Sequence, residues 1–410
     1  MITDVVIIGA GASGLCAAVY LKQQNPSLSV RLIEAMPRVG KKLALTGNGR
    51  CNITNKNIIL SRYHGEHTKF CEYALKKYDR TFCEQFFEKI GVSFVFEGDK
   101  AFPASLQASS VVDCLRFAAD ELKVITHLET KVTNIQITNG NYRVVAGDLS
   151  FLAKKVIVAA GLFSGGEKMG CDGSMLALLK KSGFKTVKTT PAIVQVKTET
   201  DVVKQLKGIK ADGTVTLMCS GKEIRKESGE ILFCDYGLSG PPILQVSRSA
   251  FRDDGKYEIS LDLMPYITKD ELIAVLKVRS ENLSYLNLDE FLTGFINKRL
   301  GQVIVKLSGG KLNENVQSLS YKNIVKIAET IKDFRFKVVG NTGFTNSQVT
   351  AGGLDTDGFS ADTMESLANK GFFAVGEILD IDGDCGGFNL QWAWSSAFCA
   401  CDAILKDLSV

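Results

Sequence analysis

The chain opens on a continuous apolar run, Val5 to Ile8, which stops at a glycine-rich turn and continues into apolar residues at helical spacing. A short run without polar interruptions is typical of a strand buried on both faces of a parallel sheet. A second run, Val30 to Ile33, ends at an acidic residue, Glu34. The pattern therefore predicts a parallel strand–helix–strand unit at the start of the chain.

The turn after the first strand, Gly9–Gly14, has the spacing G-x-G-x-x-G. Its first glycine permits a tight turn, its second lets the backbone approach a pyrophosphate, and its third lets the helix pack closely on the strand. Glu34 stands 20 residues beyond Gly14, where a Rossmann unit places the carboxylate that accepts hydrogen bonds from a ribose. This arrangement predicts a dinucleotide site. The predicted contacts are Gly9, Gly11, Ala12, Ser13, Gly14 and Glu34.

A second glycine-rich turn lies near the other end of the chain, within Gly376–Ala393. Apolar residues recur at helical spacing from Leu390 onward, so Gly386-Gly387 is expected at a helix N-terminus. Backbone N–H groups there would stabilise the negative charge of a reduced flavin. Two such turns suit a long cofactor held at both ends, and we predict FAD. The predicted contacts are Gly376, Glu377, Asp380, Gly386, Gly387, Asn389 and Leu390.

Two further segments are expected beside this cofactor. The loop Gly40–Asn52 follows Glu34 closely, so it must pass the ribityl and ring region, and its glycines allow the backbone to approach. The apolar strand Lys155 to Ala159 returns to small residues that would also permit close approach. The predicted contacts are Lys42, Gly47, Asn48, Gly49, Arg50, Cys51, Ala159, Ala160 and Gly161.

The remaining pattern predicts the organisation of the domains. From residue 191 the apolar positions fall in short β-rich pieces, and over residues 268–332 they return to helical spacing. We expect an α/β protein with a Rossmann-type FAD-binding domain, an inserted β-rich domain and a small helical domain. The expected bounds are 1–190 and 345–410 for the discontinuous FAD domain, 191–267 and 333–344 for the β-rich insert, and 268–332 for the helical cap.

Composition narrows the class of protein. The net charge is only +4 and the lysine pairs are scattered, which argues against a nucleic-acid partner. No basic segment precedes the first apolar run and glycines interrupt it, so neither a signal peptide nor a membrane segment is predicted. Eleven cysteines without regular spacing indicate reduced thiols and a cytoplasmic location. Three histidines without H-E-x-x-H spacing predict no metal site. We therefore expect a small-molecule substrate.

At these motifs the chain resembles the bacterial and archaeal NAD(P)/FAD-dependent oxidoreductase family that contains 3-dehydro-bile-acid Δ4,6-reductase and aminoacetone oxidase. The resemblance runs from end to end and includes the strings Asn48–Asn52, Gly237–Pro241 and Gly386–Gln391. It implies a three-domain flavoprotein of the two-dinucleotide-binding-domain class with non-covalent FAD. By this resemblance, FAD contacts fall on Ser13, Glu34, Lys42, Val132, Asn389 and Leu390.

One departure from the family concerns proton chemistry. The family usually has Thr-His before the Gly-Leu-Ser-Gly-Pro turn, whereas Cys234-Asp235 precede Tyr236 here. If the family histidine faces substrate, its role is altered in this chain. Asp235 and Tyr236 are therefore candidates for a proton donor, and no catalytic residue is assigned.

Three functions follow from these features. A second G-x-G-x-x-G unit and a C-x-x-C pair are missing, so either a pyridine nucleotide would bind transiently at the flavin or the electrons would come directly from the substrate. The first hypothesis is NAD(P)H-linked reduction of a conjugated C=C bond in an enone by hydride from flavin N5. The second is an FAD-dependent oxidase of small, aminoacetone-like amines that produces hydrogen peroxide. The third is a non-catalytic flavin-binding sensor or an RNA-modifying accessory protein, although the mild charge and the absence of a basic stripe argue against RNA. The sequence indicates no particular oligomeric state.

Overall fold

The computed structural model describes residues 2–138, 140–251 and 255–409. The chain divides into two compact units: Met1–Pro191 with Phe344–Val410, and Ala192–Gly343. The α/β Rossmann-type fold with a β-rich insert is confirmed. The expected division into three domains stays a prediction.

The first unit begins with a parallel strand–helix–strand arrangement, as its apolar runs predict. Its elements before the second unit are β1 (Thr3–Ile8), α1 (Ala12–Gln24), β2 (Val30–Ile33), α2 (Thr46–Gly49), β3 (Thr54–Asn55), β4 (Tyr63–His64), α3 (Glu72–Lys77), α4 (Arg80–Lys89), β5 (Phe94–Glu97), β6 (Lys100–Pro103), α5 (Ala108–Glu121), β7 (Ile125–His127), β8 (Asn134–Thr138), β9 (Asn141–Ala146), β10 (Leu149–Val158), α6 (Ser174–Lys181) and β11 (Thr186–Ala192).

The elements of the second unit are β12 (Val196–Thr198), α7 (Thr200–Val203), β13 (Lys210–Cys219), β14 (Lys222–Cys234), β15 (Gly237–Ser239), α8 (Pro241–Ser247), β16 (Tyr257–Asp262), α9 (Lys269–Asn282), α10 (Lys298–Leu307), α11 (Tyr321–Lys332) and β17 (Phe334–Asn341). The chain then returns to the first unit with β18 (Val349–Leu354), β19 (Phe372–Ala374), β20 (Asp382–Gly383) and α12 (Phe388–Leu408).

A seven-stranded sheet organises the first unit. Its order is β7-β2-β1-β10-β9-β8, and β19 also pairs with β10. The strands β7, β2, β1, β10 and β19 run parallel, whereas β9 is antiparallel to the first half of β10. The side chains of β1 from Val5 to Ile8 are buried, because both faces of a parallel sheet are covered.

The C-terminal helix α12 lies in the core of the first unit. It packs against α1 and α3, and its Trp392 and Trp394 are among the largest fully buried side chains. A buried glutamine on the same helix is fully bonded. The Oε1 atom of Gln391 accepts from the Thr54 hydroxyl at 2.5 Å, and its Nε2 atom donates to the carbonyl of Tyr78 at 2.9 Å.

The second unit combines a closed barrel with helices. Six strands close in the order β12-β15-β14-β13-β16-β17, and the recorded pairs between them are antiparallel. The helix α9 begins at a capping box, in which the Thr268 hydroxyl accepts from the N–H of Glu271 and the Glu271 carboxylate accepts from the N–H of Thr268.

Two further properties of the described residues concern membrane spans and cysteines. Among them, no helix is both long enough and apolar enough to cross a lipid bilayer. All eleven cysteines lie within the described ranges and are free, and seven of them are buried.

Replacement of Gln391 by leucine is expected to lower the free energy of unfolding by about 1–3 kcal/mol, because the buried Thr54 hydroxyl loses its partner. Urea unfolding followed by tryptophan fluorescence measures this change in the first unit, since both tryptophans of the chain lie on α12. The matched control is Gln24→Leu at the exposed end of α1, which should leave the midpoint unchanged. Equal stability of both variants would contradict the prediction.

Candidate functional site

The glycine-rich turn between β1 and α1 is built from close backbone contacts. Gly9 has a φ of +101°, and a Cβ added there would lie 2.6 Å from the carbonyl oxygen of Ala159. A Cβ added at Gly14 would lie 1.9 Å from the carbonyl oxygen of Gly9. Around Gly11, by contrast, a Cβ would meet no described atom within 4 Å. Two glycines therefore serve packing, and the third faces open space at the start of α1, where Ala12 and Ser13 lie.

Glu34 lies directly after β2 and holds this turn. Its carboxylate accepts from the N–H of Ala10 at 2.7 Å and from the N–H of Met36 at 2.9 Å. Burial raises the pKa of Glu34, and the backbone N–H donors partly offset that effect. Each carboxylate oxygen can accept more than one hydrogen bond. Glu34 therefore retains acceptor capacity for a ribose hydroxyl.

A cavity of about 190 Å³ opens beside Glu34. Its walls come from the ends of β1, β2 and β10 and from the segment after β7. The carboxyl ends of neighbouring parallel strands form the usual nucleotide site of such a sheet. The structure thus brings together five of the predicted residues as lining: Gly9, Glu34, Val132, Ala160 and Gly161. The backbone of Ala159 packs directly against Gly9 of the glycine-rich turn.

A polar cluster, defined here as Lys42, Ser164, Thr350 and Glu377, joins four segments of the first unit. The Lys42 ammonium donates to Ser164 Oγ at 2.6 Å and forms an ion pair with the Glu377 carboxylate. Glu377 Oε1 also accepts from the Ser164 hydroxyl at 2.5 Å and from the N–H of Thr350 at 3.0 Å. Burial would lower the pKa of Lys42, but the charge and hydrogen bond of Glu377 together with the neighbouring Cys171 outweigh burial and raise that pKa. Lys42 is therefore protonated at neutral pH.

Gly376 places this cluster beside the start of α1. A Cβ added to Gly376 would lie 2.8 Å from Ser13 Oγ. The N–H of Gly376 donates to Ser396 Oγ at 2.9 Å, and its carbonyl accepts from Trp392 Nε1 at 3.1 Å. The two predicted glycine-rich segments, far apart in sequence, therefore meet in the folded first unit.

The second glycine-rich turn leads into α12 as expected. Gly387 has a φ of +98°, and a Cβ added there would lie 2.6 Å from the carbonyl oxygen of Thr54 and 2.9 Å from Asn52 Oδ1. That Asn52 oxygen is buried and has no hydrogen-bond partner among the described residues. A buried acceptor without a donor is costly, so the site fits a group that brings an N–H, as the flavin ring does. These observations agree with an FAD ring beside Gly386-Gly387.

Asn389 and Leu390, at the start of α12, have structural contacts. Asn389 closes its own turn, since Oδ1 accepts from the N–H of Gly383 at 2.8 Å and Nδ2 donates to the carbonyl of Gly383 at 2.7 Å. The Leu390 side chain is partly buried against the core of the first unit. Their roles as FAD contacts stay predictions.

The short element α2, just before β3, is not a regular helix but a left-handed turn. Gly47, Asn48 and Gly49 have φ values of 58°, 55° and 82°. The Arg50 guanidinium lies 4.4 Å from the Phe102 ring centroid and pairs with Glu97, so its charge has partners within the protein.

The neighbouring Cys51 is buried. Burial raises the pKa of its thiol to about 12, so the sulfur stays neutral. The structure shows no reason for Cys51 to contact the cofactor through its side chain.

Asp380, a predicted FAD contact, and the nearby Asp384 both contact the segment 62–66, which the sequence did not point to. The role of Asp380 as an FAD contact stays a prediction. The Asp380 carboxylate accepts from the N–H of Glu66 at 2.8 Å. Asp384, which is buried, lies 2.8 Å from His64 Nε2 and 3.2 Å from Arg62 Nη1. No spacing rule links a histidine near residue 64 to an aspartate near residue 384, so only the pairing of β4 with β20 reveals this contact.

The proposed proton donors in the second unit have different properties. Asp235 forms an ion pair with Lys207 at 2.7 Å, and this contact lowers the pKa of the carboxyl. Asp235 is therefore ionised at neutral pH and does not suit proton donation. Burial and the neighbouring Cys234 raise the pKa of Tyr236, so that phenol keeps its proton.

One cluster of metal-ligand types occurs among the described residues. Atoms of His67, Asp355 and Asp357 lie within 4.8 Å of one another, and His67 and Asp357 are exposed. His67 Nε2 lies 3.2 Å from Asp357, so the two side chains contact each other directly. The expectation of no metal stays a prediction.

A parallel sheet with a glycine-rich turn after its first strand, a carboxylate after its second strand and a second glycine-rich helix start is typical of an FAD-dependent oxidoreductase. A family model supports this class independently. The chain belongs to the HI0933-like protein family, whose Rossmann-domain model matches residues 3–403.

Two curated relatives match over nearly their whole length. The chain is 31% identical to a 3-dehydro-bile acid delta(4,6)-reductase of Clostridium scindens, over 96% of this chain and 97% of that protein. It is 26% identical to a ribosomal RNA dihydrouridine synthase of Escherichia coli, over 98% of each chain. The chain also superposes on the solved structure of an E. coli quinol fumarate reductase, with a TM-score of 0.52 and 15% identity. The superposition covers all of this chain and 71% of the reductase chain. This last likeness concerns the fold alone.

Valine at Gly11 and alanine at Gly14 should separate cofactor binding from folding. Gly11→Val should keep the unfolding midpoint of the wild-type apoprotein, because the added atoms enter open space and Gly11 has an ordinary extended conformation, but it should not bind FAD. Gly14→Ala should unfold the first unit, because its Cβ meets the carbonyl of Gly9. Circular dichroism melts and flavin absorbance measure the two effects. A fully yellow Gly11→Val protein would place the pyrophosphate elsewhere.

Glu34→Gln should weaken FAD binding by at least about tenfold, since one charged acceptor is lost. Binding of FMN, which lacks the adenosine ribose, is the matched control and should change little. Fluorescence titration of the apoprotein with each flavin gives both constants. An equal loss for FAD and FMN would mean that Glu34 acts only by holding the glycine-rich turn.

Proposed function

We propose that this protein is an FAD-dependent reductase that saturates a C=C bond conjugated to a carbonyl group, with NAD(P)H as the electron donor. The observation that carries the proposal is the end-to-end similarity to the Clostridium scindens reductase. In a 3-dehydro compound with a double bond at position 4, the alkene is conjugated to the 3-carbonyl. Such a bond accepts hydride at one carbon and a proton at the next.

The residues of the first unit have distinct parts in this proposal. The turn Gly9–Gly14 and Glu34 would hold the adenosine and pyrophosphate, with the dipole of α1 favouring the phosphates. Lys42, kept charged by Glu377, would add a cation next to the start of α1. The N-terminus of α12 and Asn52 would orient the ring. When bound, the flavin supplies the hydride.

The donor is proposed to bind only transiently. The strands of the second unit form an antiparallel barrel, not a second parallel sheet with a nucleotide turn. A pyridine nucleotide would then reach the flavin, pass on its hydride and leave before the acceptor binds.

A second candidate substrate is a uracil base in RNA. It is favoured by the similarity to the ribosomal RNA dihydrouridine synthase, which spans 98% of this chain. The 5,6 double bond of uracil is conjugated to its 4-carbonyl, so its reduction to dihydrouracil is the same reaction as that of an enone. The two candidates therefore differ in how the substrate is bound and not in the chemistry at the flavin.

Anaerobic titration of the yellow protein tests the proposal. NADH or NADPH should bleach the oxidised-flavin absorbance, and an unsaturated 3-ketosteroid or a uridine-containing RNA should restore it. The Gly11→Val apoprotein is the control for turnover without FAD. Bleaching by small amines alone, with peroxide formed on admitting air, would instead identify an oxidase. No bleaching by any of these compounds would indicate a flavin-binding sensor.

A further inference from the structure

The positive charge of this chain is concentrated in one part of the second unit. Residues 298–326 contain six lysines and arginines and one acidic residue, Glu314. Their net charge of +5 exceeds the net charge of +4 of the whole chain. The positive and negative charges of the remaining residues therefore almost cancel. A modest total charge therefore conceals a strongly basic segment.

The helix α10 presents its basic residues to solvent. Its apolar residues Leu300, Val303 and Ile304 are buried, whereas Lys298, Arg299 and Lys306 are exposed. Arg299 and Lys306 are seven positions apart and so share one helical face, at a spacing of roughly 10 Å along the axis.

The first turn of α11 continues this surface. Asn323 Nδ2 donates to the carbonyl of Ser308 at 3.2 Å, which joins the start of α11 to the end of α10. Tyr321 is 65% exposed, and Lys322 beside it is also exposed. An aromatic ring thus stands among lysines at the junction of the two helices.

Most of the cations of residues 298–326 form no ion pair among the described residues. Taking the described parts of the chain together, Lys298, Arg299, Lys306 and Lys322 have no carboxylate within 4.0 Å. Lys311 contacts Glu314 at 3.1 Å, and Lys326 lies 3.8 Å from Glu329. Four cations are therefore available to an anionic partner.

We propose that this face of α10 and α11, the basic face, binds RNA. Phosphates would pair with Lys298, Arg299, Lys306 and Lys322, and an unpaired base would stack on Tyr321. An exposed aromatic ring among cations favours a strand with accessible bases over a lipid surface, for which the face offers one large apolar side chain, Leu307. The inference rests on the second candidate substrate of the proposed function, a uracil base in RNA.

The experiment measures the affinity of the full-length holoprotein for a uridine-looped RNA hairpin at several salt concentrations. The quadruple variant Lys298→Gln, Arg299→Gln, Lys306→Gln, Lys322→Gln should bind at least tenfold more weakly. It should also lose about 3 from the slope of log affinity against log salt, as expected for four phosphate contacts. Tyr321→Ala should weaken binding without changing the slope.

A control variant carries the same loss of charge at dispersed exposed lysines: Lys89→Gln, Lys222→Gln, Lys226→Gln, Lys406→Gln. It should keep the wild-type affinity and most of the salt slope. Equal weakening by both quadruple variants, or equal affinity for a DNA duplex of the same sequence or for anionic phospholipid vesicles, would overturn the inference.

These outcomes are separable from the proposed reduction. RNA binding is measured without a donor, so it does not depend on turnover. Binding unaffected by the basic-face variant, with intact reduction of an enone, would remove the inference and leave the reductase. RNA binding that depends on the basic face, in a protein that reduces neither an enone nor RNA, would keep the inference and remove the proposed reductase function.

Discussion

The first unit depends on one close approach of backbone to backbone. Gly9, Gly14 and the segment at Ala159 pack so tightly that a single added carbon at either glycine would collide with a carbonyl oxygen. This contact seats the start of α1 on the ends of β1 and β10. The N–H groups of the helix then point toward the open space at Gly11, and the cavity beside Glu34 acquires its walls. The predicted nucleotide site thus follows from how the sheet and the helix meet.

Charge is handled differently in the two units. In the first unit, Lys42 and Glu377 neutralise each other within a hydrogen-bonded cluster, so a half-buried ammonium remains charged where a diphosphate would need it. In the second unit, Lys298, Arg299, Lys306 and Lys322 are exposed and have no carboxylate within 4.0 Å among the described residues. A charged group fixed by buried partners would bind a cofactor phosphate at one position. Exposed cations would instead bind a large polyanion at several phosphates.

Much of the FAD domain could be predicted because its signals are local. The apolar runs of β1 and β2 reflect burial on both faces of the sheet. The spacing of Gly9, Gly11 and Gly14 reflects close backbone approach, and Glu34 follows β2 at the position that a Rossmann unit reserves for a carboxylate. Ser164 could not be predicted, since a serine in a loop has no distinguishing spacing. His64 and Asp384 were missed for the same reason: their contact depends on strand pairing between segments 320 positions apart.

By itself, the sequence determined the class of fold, the cofactor and the chain positions of both glycine-rich turns, because each follows from periodicity or from the absence of a side chain. Only the tertiary structure decided that Gly376 lies against Ser13, that Glu377 pairs with Lys42 and that the Asn52 side-chain oxygen beside Gly387 has no partner among the described residues. It also decided which cations of residues 298–326 are exposed and which pair with a glutamate. Contacts of this kind join distant segments, and their energies depend on distance and burial, which a linear pattern does not contain.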